Sequence, residues 1–381
     1  MMTSKEQRGI YIHIPFCARK CVYCDFLSAP RPDTVVRAYF DALIREIRMT
    51  SREETEYGPV STVFFGGGTP GLVPAAFIAR VLSALRENFD IRQDAEITLE
   101  TNPGLMDEQK LSAWRAAGVN RLSMGAQSFD DRELRLLGRI HTAAQVREGF
   151  ALARKAGFDN INIDLMEALP GQDIRSLQKN LEALTALSPE HVSVYSLILE
   201  DGTYLAEHLP EFPPLPGEDA ERAMYWHSVR FLEKRGYRQY EISNFAKPGR
   251  ACLHNVSYWE RREYLGLGLG ASSLRRETRI TNTQDLSEYL RFTELTDIRK
   301  DVTHLTRQDA QAEFFYLGLR KKEGVSLDEF RDAFGADPLD IYGPVLVKHR
   351  KDGTLGEDGG RIFLTRRGLD VSNYILCDFL P

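Results

Sequence analysis

The sequence predicts an α/β protein: a partial parallel barrel of about six βα units, a (β/α)6 arrangement, followed by a small winged-helix-like module. Three observations predict it. Short β-branched runs alternate with amphipathic stretches six times before about residue 200. Such alternation builds a parallel sheet with helical crossovers. Polar and glycine residues stand at the carboxyl end of each run, where barrels assemble sites from successive loops. A doubly wound sheet would draw on fewer loops, at its switch point. From about residue 303 the texture changes to helical segments followed by a hairpin pattern.

The strands are expected at 9–14, 62–65, 96–100, 121–125, 161–165 and 192–197. Between them, helices are expected at 34–48, 76–87, 107–117, 143–155 and 174–187. The first places Val35, Tyr39, Leu43 and Ile47 at helical spacing. Asp33, Asp107, Thr142 and Asp173 are the expected capping residues. The segment 200–300 reads as less regular, with a stiff Pro-rich linker at 211–217 and a helix at 218–235. The glycine-alternating run 265–270 is expected to pack against the barrel edge. It lacks the strand-turn-helix context of a dinucleotide loop. Helices at 307–322, 326–334 and 338–349, a hairpin at 359–364 and a last helix at 365–376 complete the chain. The expected division is 1–300 and 301–381.

With 381 residues, 43% hydrophobic and 27% charged, the chain has the composition of a globular protein with one large domain and a small one. Its net charge of −6 argues against bulk nucleic-acid binding. The C-terminal module, 301–381, carries 11 Lys+Arg against 14 Asp+Glu, the wrong sign for a groove reader. No apolar run approaches the ~20 residues of a membrane span. Residues 1–8 are polar, without the apolar core of a signal peptide, so a cytoplasmic location is expected.

Cys17, Cys21 and Cys24 follow the first strand. Three thiolates at this spacing can ligate three irons of a cubane cluster and leave the fourth iron open. A disulfide would strand one thiol and suits short secreted chains. A structural zinc site would need a fourth ligand, for which His13 is the nearest residue. Cys252 and Cys377 lie far away and read as reduced thiols.

The other polar residues at strand ends are Gly66, Gly67, Gly68 and Thr69 after strand two, Glu100 on strand three, Gln127 after strand four, Asp164 on strand five and Ser196 on strand six. Glycines let backbone groups approach a ligand closely, and they equally serve a tight strand-to-helix turn. Glu100, Gln127, Arg139 and Asp164 can each be a ligand contact or an ordinary surface or salt-bridging residue. Their shared position at the carboxyl ends favours a site.

Read together, these pieces resemble a known family. Cys17-x-x-x-Cys21-x-x-Cys24, with Tyr23 before the third cysteine, is similar to the signature of the radical S-adenosylmethionine (SAM) superfamily. Within it, the runs 11–17, 64–70, 100–103, 125–128, 139–141 and 169–172 resemble the oxygen-independent coproporphyrinogen III oxidase family across nearly the whole chain. The resemblance implies a radical SAM barrel with a [4Fe-4S] cluster on Cys17, Cys21 and Cys24. It implies SAM contacts from Tyr11, Tyr23, Gly67, Gly68, Thr69, Glu100, Gln127, Arg139 and Asp164. One departure is Glu167-Ala168, where the family has an aromatic residue and a glycine.

Two features separate branches of that family. The oxidase has a further cysteine two residues after the third, where this chain has Phe26, and an N-terminal cover for which the ten residues before Tyr11 leave no room. The run His254-Asn255-x-x-Tyr258-Trp259 resembles the motif of a haem-chaperone branch. The expected function is therefore haem binding and transfer to an acceptor protein, with a flavodoxin or ferredoxin as reductant and a transient membrane contact. The alternative is radical decarboxylation of coproporphyrinogen III. His254 is the first candidate haem ligand and Cys252 the second; equally, His254, Tyr258 and Trp259 can simply close a core.

Overall fold

The computed structural model describes residues 8–381. The polar stretch read at residues 1–8 thus lies outside the described residues, save Arg8. Strands β1 (Arg8–Ile14), β2 (Val60–Gly67), β3 (Ile91–Thr101), β4 (Arg121–Gln127), β5 (Ile161–Glu167) and β6 (His191–Ser196) alternate with helices. These are α1 (Asp33–Glu53), α2 (Ala75–Asn88), α3 (Glu108–Ala117), α4 (Asp131–Leu136), α5 (Ala143–Lys155) and α6 (Ile174–Leu187). The six strands lie in sequence order and all pair in parallel. β1 and β6 do not pair with each other, so the barrel is incomplete, as expected.

The helices cover the sheet because their apolar residues fall on one stripe. In α1, Val36, Tyr39, Phe40, Leu43 and Ile47 are buried, and Phe40 stacks on Phe77 of α2 with ring centroids 4.6 Å apart. Asp107, Thr142 and Asp173 cap α3, α5 and α6 as predicted. Asp33 does not cap: Pro32 holds the cap position and Asp33 is the first helical residue, where its charge still meets the positive end of the helix.

The segment 200–300 is more ordered than its sequence suggests. It contains α7 (Tyr204–Glu207), α8 (Glu218–Glu233), β7 (Arg238–Gln239), β8 (Asn244–Ala246), α9 (Leu253–Trp259), β9 (Tyr264–Leu267), β10 (Ser272–Arg275), β11 (Thr278–Asn282), α10 (Leu286–Arg291), α11 (Leu295–Ile298) and β12 (Arg299–His304). These strands are two to six residues long and form by adding to existing edges. β9 pairs in parallel with β1 and is extended by β10, β11 and β12; β8 pairs antiparallel with β6 and is extended by β7. The glycine run is therefore an added strand. A side chain at Gly266 would strike the Ser272 backbone at 2.0 Å, which is why small residues alternate there.

The C-terminal part holds α12 (Arg307–Gly318), β13 (Val325–Ser326), α13 (Leu327–Phe334), α14 (Pro338–Lys351), β14 (Leu355–Asp358), β15 (Arg361–Leu364), α15 (Arg366–Asp370) and α16 (Ser372–Cys377). Its small antiparallel sheet, ordered β13-β15-β14, packs with the helices around Phe315, Phe330, Leu346, Ile362 and Phe379. The last helix, expected unbroken at 365–376, is two short helices: Val371 leaves the helical region at φ −129°.

Candidate active site at the barrel mouth

The loops at the carboxyl ends of β1–β6 enclose a cavity of about 320 Å³. Cys17, Cys21, Tyr23, Cys24, Gly67, Gly68, Thr69, Glu100, Gln127, Arg139 and Asp164 all line it. Of the thirteen residues expected as cluster ligands, SAM contacts or first haem ligand, eleven thus meet at one place; Tyr11 and His254 do not.

The cysteine loop is held on every side. The carbonyl of Ala29 accepts from Cys17 N (3.4 Å), and that of Leu137 from Val22 N (3.3 Å). Val22 O accepts in turn from Leu205 N of α7 (2.8 Å). His13 Nε2 reaches Leu27 O (2.9 Å). The three thiols are free of disulfides. Among the described residues no trio of His, Cys, Asp and Glu closes around a single metal-ion position. His13 is committed to the loop backbone and to the Tyr11 hydroxyl, 3.1 Å away.

The glycine run crosses directly beneath this loop. Gly68 N donates to Ile14 O (2.8 Å) and Thr69 N to Phe16 O (2.7 Å). A Cβ on Gly68 would lie 2.5 Å from the Phe16 carbonyl oxygen, so only glycine allows the approach. Gly67, at φ 108°, donates its N–H to Glu100 Oε2 (3.2 Å). With these N–H groups committed, a ligand at the run would find carbonyl oxygens rather than N–H donors, which suits a donor such as an ammonium group.

Arg139 ties three walls together. Nη2 donates to Asn102 Oδ1 (2.7 Å) and to Gly125 O (2.5 Å), and Nη1 reaches Cys21 Sγ (3.4 Å). Asn102 also donates to Thr69 Oγ1 (3.2 Å). Gln127 adopts φ 67°, a strained conformation for a non-glycine residue, at a register shift between β4 and β5. The Tyr195 hydroxyl holds its Oε1 at 2.8 Å. Asn102 and Tyr195 were missed as site residues. Asn102 sits inside the run quoted at 100–103, and Tyr195 adjoins the predicted Ser196, so the strand-end rule pointed within a residue or two of both.

Two carboxyls face the cavity. Burial, together with the charge of Asp164, pushes Glu100 up to about 8. Burial also raises Asp164, although Asn162 Nδ2 donates to it at 2.7 Å. At Glu167-Ala168 the unusual residues have structural consequences. Glu167 is buried and accepts from Ser228 Oγ at 2.5 Å, and Ala168 occupies φ 57°, a region that favours glycine.

Tyr11 and His254 lie one layer below the cavity. The β2–β3 register sets Thr62 opposite Glu96 and Phe64 opposite Thr98, with Gly66 and Glu100 above them. Tyr11 sits beneath Gly66, stacks on Phe64 at 6.3 Å, and is not a wall of the cavity. His254, 1% exposed, stacks on Phe64 at 5.1 Å. Its Nδ1 lies 2.8 Å from Thr62 Oγ1 and its Nε2 2.9 Å from the Tyr258 hydroxyl. The Glu96 carboxylate accepts from Leu253 N and His254 N at the start of α9 (both 3.2 Å). The imidazole expected to meet haem iron therefore has no open nitrogen. Cys252, the second candidate, is fully buried, and burial pushes its thiol up to about 12. His254 and Tyr258 pack inside the barrel, while the Arg320 guanidinium lies over Trp259, 4.6 Å from its ring centroid.

Comparison with known proteins agrees with this geometry. Residues 11–184 match the Radical SAM superfamily and residues 305–371 the HemN C-terminal domain. The chain is 36% identical to the heme chaperone HemW of Lactococcus lactis subsp. lactis, covering 99% of this chain and 98% of the relative. The chain belongs to the HemW family of radical SAM proteins. The Bacillus subtilis HemW is 34% identical over 98% of this chain and 99% of its own. Among solved structures, Escherichia coli coproporphyrinogen III oxidase, HemN, superposes with a TM-score of 0.85 at 26% identity, covering 98% of this chain and 90% of that one. The HemW family thus shares the HemN fold from the barrel through the C-terminal module.

Proposed function

We propose that this protein is a haem chaperone: it carries a [4Fe-4S] cluster and SAM in the barrel mouth, binds haem, and passes it to an acceptor protein. The observation that carries the reading is the residue two places after the third cysteine. There Phe26 stands 66% exposed at the rim of the cavity, an apolar surface where the oxidase branch has a cysteine. The names of the Lactococcus and Bacillus relatives support it.

Cys17, Cys21 and Cys24 hold the cluster. Gly67, Gly68 and Thr69 face the SAM amino group; Tyr23, Glu100, Gln127, Arg139 and Asp164 form the remaining walls. The donor set fits: three thiols border a cavity whose other walls offer carbonyl, carboxyl and amide groups in the arrangement a zwitterionic nucleoside needs. When bound, cluster and SAM supply one-electron chemistry. A flavodoxin or ferredoxin is the fitting reductant, and the cytoplasm the fitting compartment. No helix among the described residues is long and apolar enough to cross a membrane, so membrane contact would be peripheral and transient. The two-part division is best drawn after His304, because β12 belongs to the large sheet.

The test offers ferric haem and coproporphyrinogen III in parallel to the anaerobically reconstituted protein. A saturable Soret band without cluster-dependent decarboxylation supports the chaperone. Robust protoporphyrinogen formation with SAM and reductant replaces it with the oxidase.

A further inference from the structure

We propose that haem docks on the apolar rim of the barrel mouth with Nε2 of His208 as its axial ligand. This deepens the chaperone reading and rests on it. A cavity of about 320 Å³ that already receives a cluster and SAM leaves a porphyrin only the rim. That rim is apolar: Phe26 is 66% and Ile198 67% exposed, and both border the cavity.

The eight histidines are unequal in what they can offer an iron. Both ring nitrogens of His13, His191, His254 and His349 are engaged. His141 is buried, with Nε2 on Ala126 O. His227 spends Nε2 on Gln178, on the outer helix α8. His304 lies on β12, four strands from β1 at the far edge of the sheet. His208 remains. It follows α7, whose Leu205 N is bonded to Val22 O of the cysteine loop.

Its geometry is that of a prepared ligand. Nδ1 lies 3.0 Å from the Tyr204 carbonyl oxygen, to which it donates, and among the described residues Nε2 has no hydrogen-bond partner. Histidines that bind metals characteristically donate their other ring nitrogen to a carbonyl or carboxylate in this way. The ring is stacked on Tyr204, centroids 4.0 Å apart and planes 11° from parallel, which fixes its orientation. Binding is a dative bond from the Nε2 lone pair to iron; no electron or proton moves.

Charge sets the orientation of the porphyrin. Glu200, Asp201, Glu207 and Glu211 line the α7 side and repel propionates, and Asp25 adjoins Phe26. Arg19 and Lys20, within the cysteine loop, border the cavity, and neither has an ion-pair partner among the described residues. The propionates therefore lie over Arg19 and Lys20, and the iron over His208.

The experiment is a titration of the full-length protein with ferric haem, read by the Soret and visible bands. His208→Ala should lose the low-spin histidine spectrum and weaken binding about tenfold or more, and free imidazole should restore the spectrum. Arg19→Glu with Lys20→Glu should weaken binding and leave the band positions unchanged. Circular dichroism establishes that each variant is folded. No haem binding by the wild type overturns the chaperone reading itself. Wild-type binding with an unaltered spectrum in folded His208→Ala overturns this inference alone, as does a charge-reversed variant that binds as tightly as wild type.

Discussion

His254 Nδ1 and Thr62 Oγ1 lie 2.8 Å apart inside the barrel, and the Tyr258 hydroxyl closes the other ring nitrogen at 2.9 Å. The imidazole braces α9 against β2 directly below the layer that carries the glycine run. Burial, with Arg121 nearby, lowers it to about 3, so it is neutral at physiological pH.

His254→Ala removes a buried ring and leaves two hydroxyls without their partner. The expected cost is about 2–4 kcal/mol of stability, measured by chemical denaturation. The haem band positions should stay where they are in wild type. A changed axial-ligand spectrum in a variant of wild-type stability would return His254 to the haem.

How far the sequence was readable divides along physical lines. The six central strands and their helices were legible because each is long enough to show its period, and three of the caps carry their signal in one side chain. β7–β12 were not, because a strand such as Asn244–Ala246 is specified by the edge it joins rather than by its own alternation. The cavity walls were legible from one rule, strand carboxyl ends, which gathers Glu100, Gln127 and Asp164 from three separate strands. Tyr11 and His254 escaped that rule because the depth of a residue within a barrel depends on register, which a single strand does not reveal.

The cluster ligands make a second prediction. Prepared anaerobically, the wild type should hold about four irons per chain. Cys17→Ala, Cys21→Ala and Cys24→Ala should each abolish the broad charge-transfer absorption. Cys252→Ala and Cys377→Ala should retain it, since one thiol is buried against Glu96 and the other lies on the C-terminal module. Iron analysis and absorption spectra check this; full iron in any of the first three variants would reassign the ligands.

Gly68→Ala tests the crossing beneath the cysteine loop. The new methyl would press on the Phe16 carbonyl, which is backbone and has no rotamer to escape into. Separation requires the loop itself to move, at about 1–3 kcal/mol. Because Cys17 is the next residue, iron retention after gel filtration should fall more than global stability does. A variant that keeps its cluster as firmly as wild type would show that the approach is looser than the structure indicates.

Glu100 gives a pH signature in the apoprotein. Its folded value of about 8 stands above the ordinary carboxylate range because burial and then Asp164 disfavour the charge. Between about 4.5 and 8 the folded chain therefore holds a proton that the unfolded chain has released. The sign follows: ionising Glu100 in the folded state is a penalty, absent below about 4.5 and complete above about 8, so stability falls as pH rises through that window. Glu100→Gln cannot ionise and should escape this part of the decline. Glu167 is common to both proteins, so the difference between the two denaturation curves reports Glu100 together with its coupling to Asp164. Measured at pH 6, 7, 8 and 9, the Gln variant should gain on wild type as pH rises and then hold a constant lead. A difference independent of pH would mean that Glu100 does not titrate between pH 6 and 9 in the folded chain.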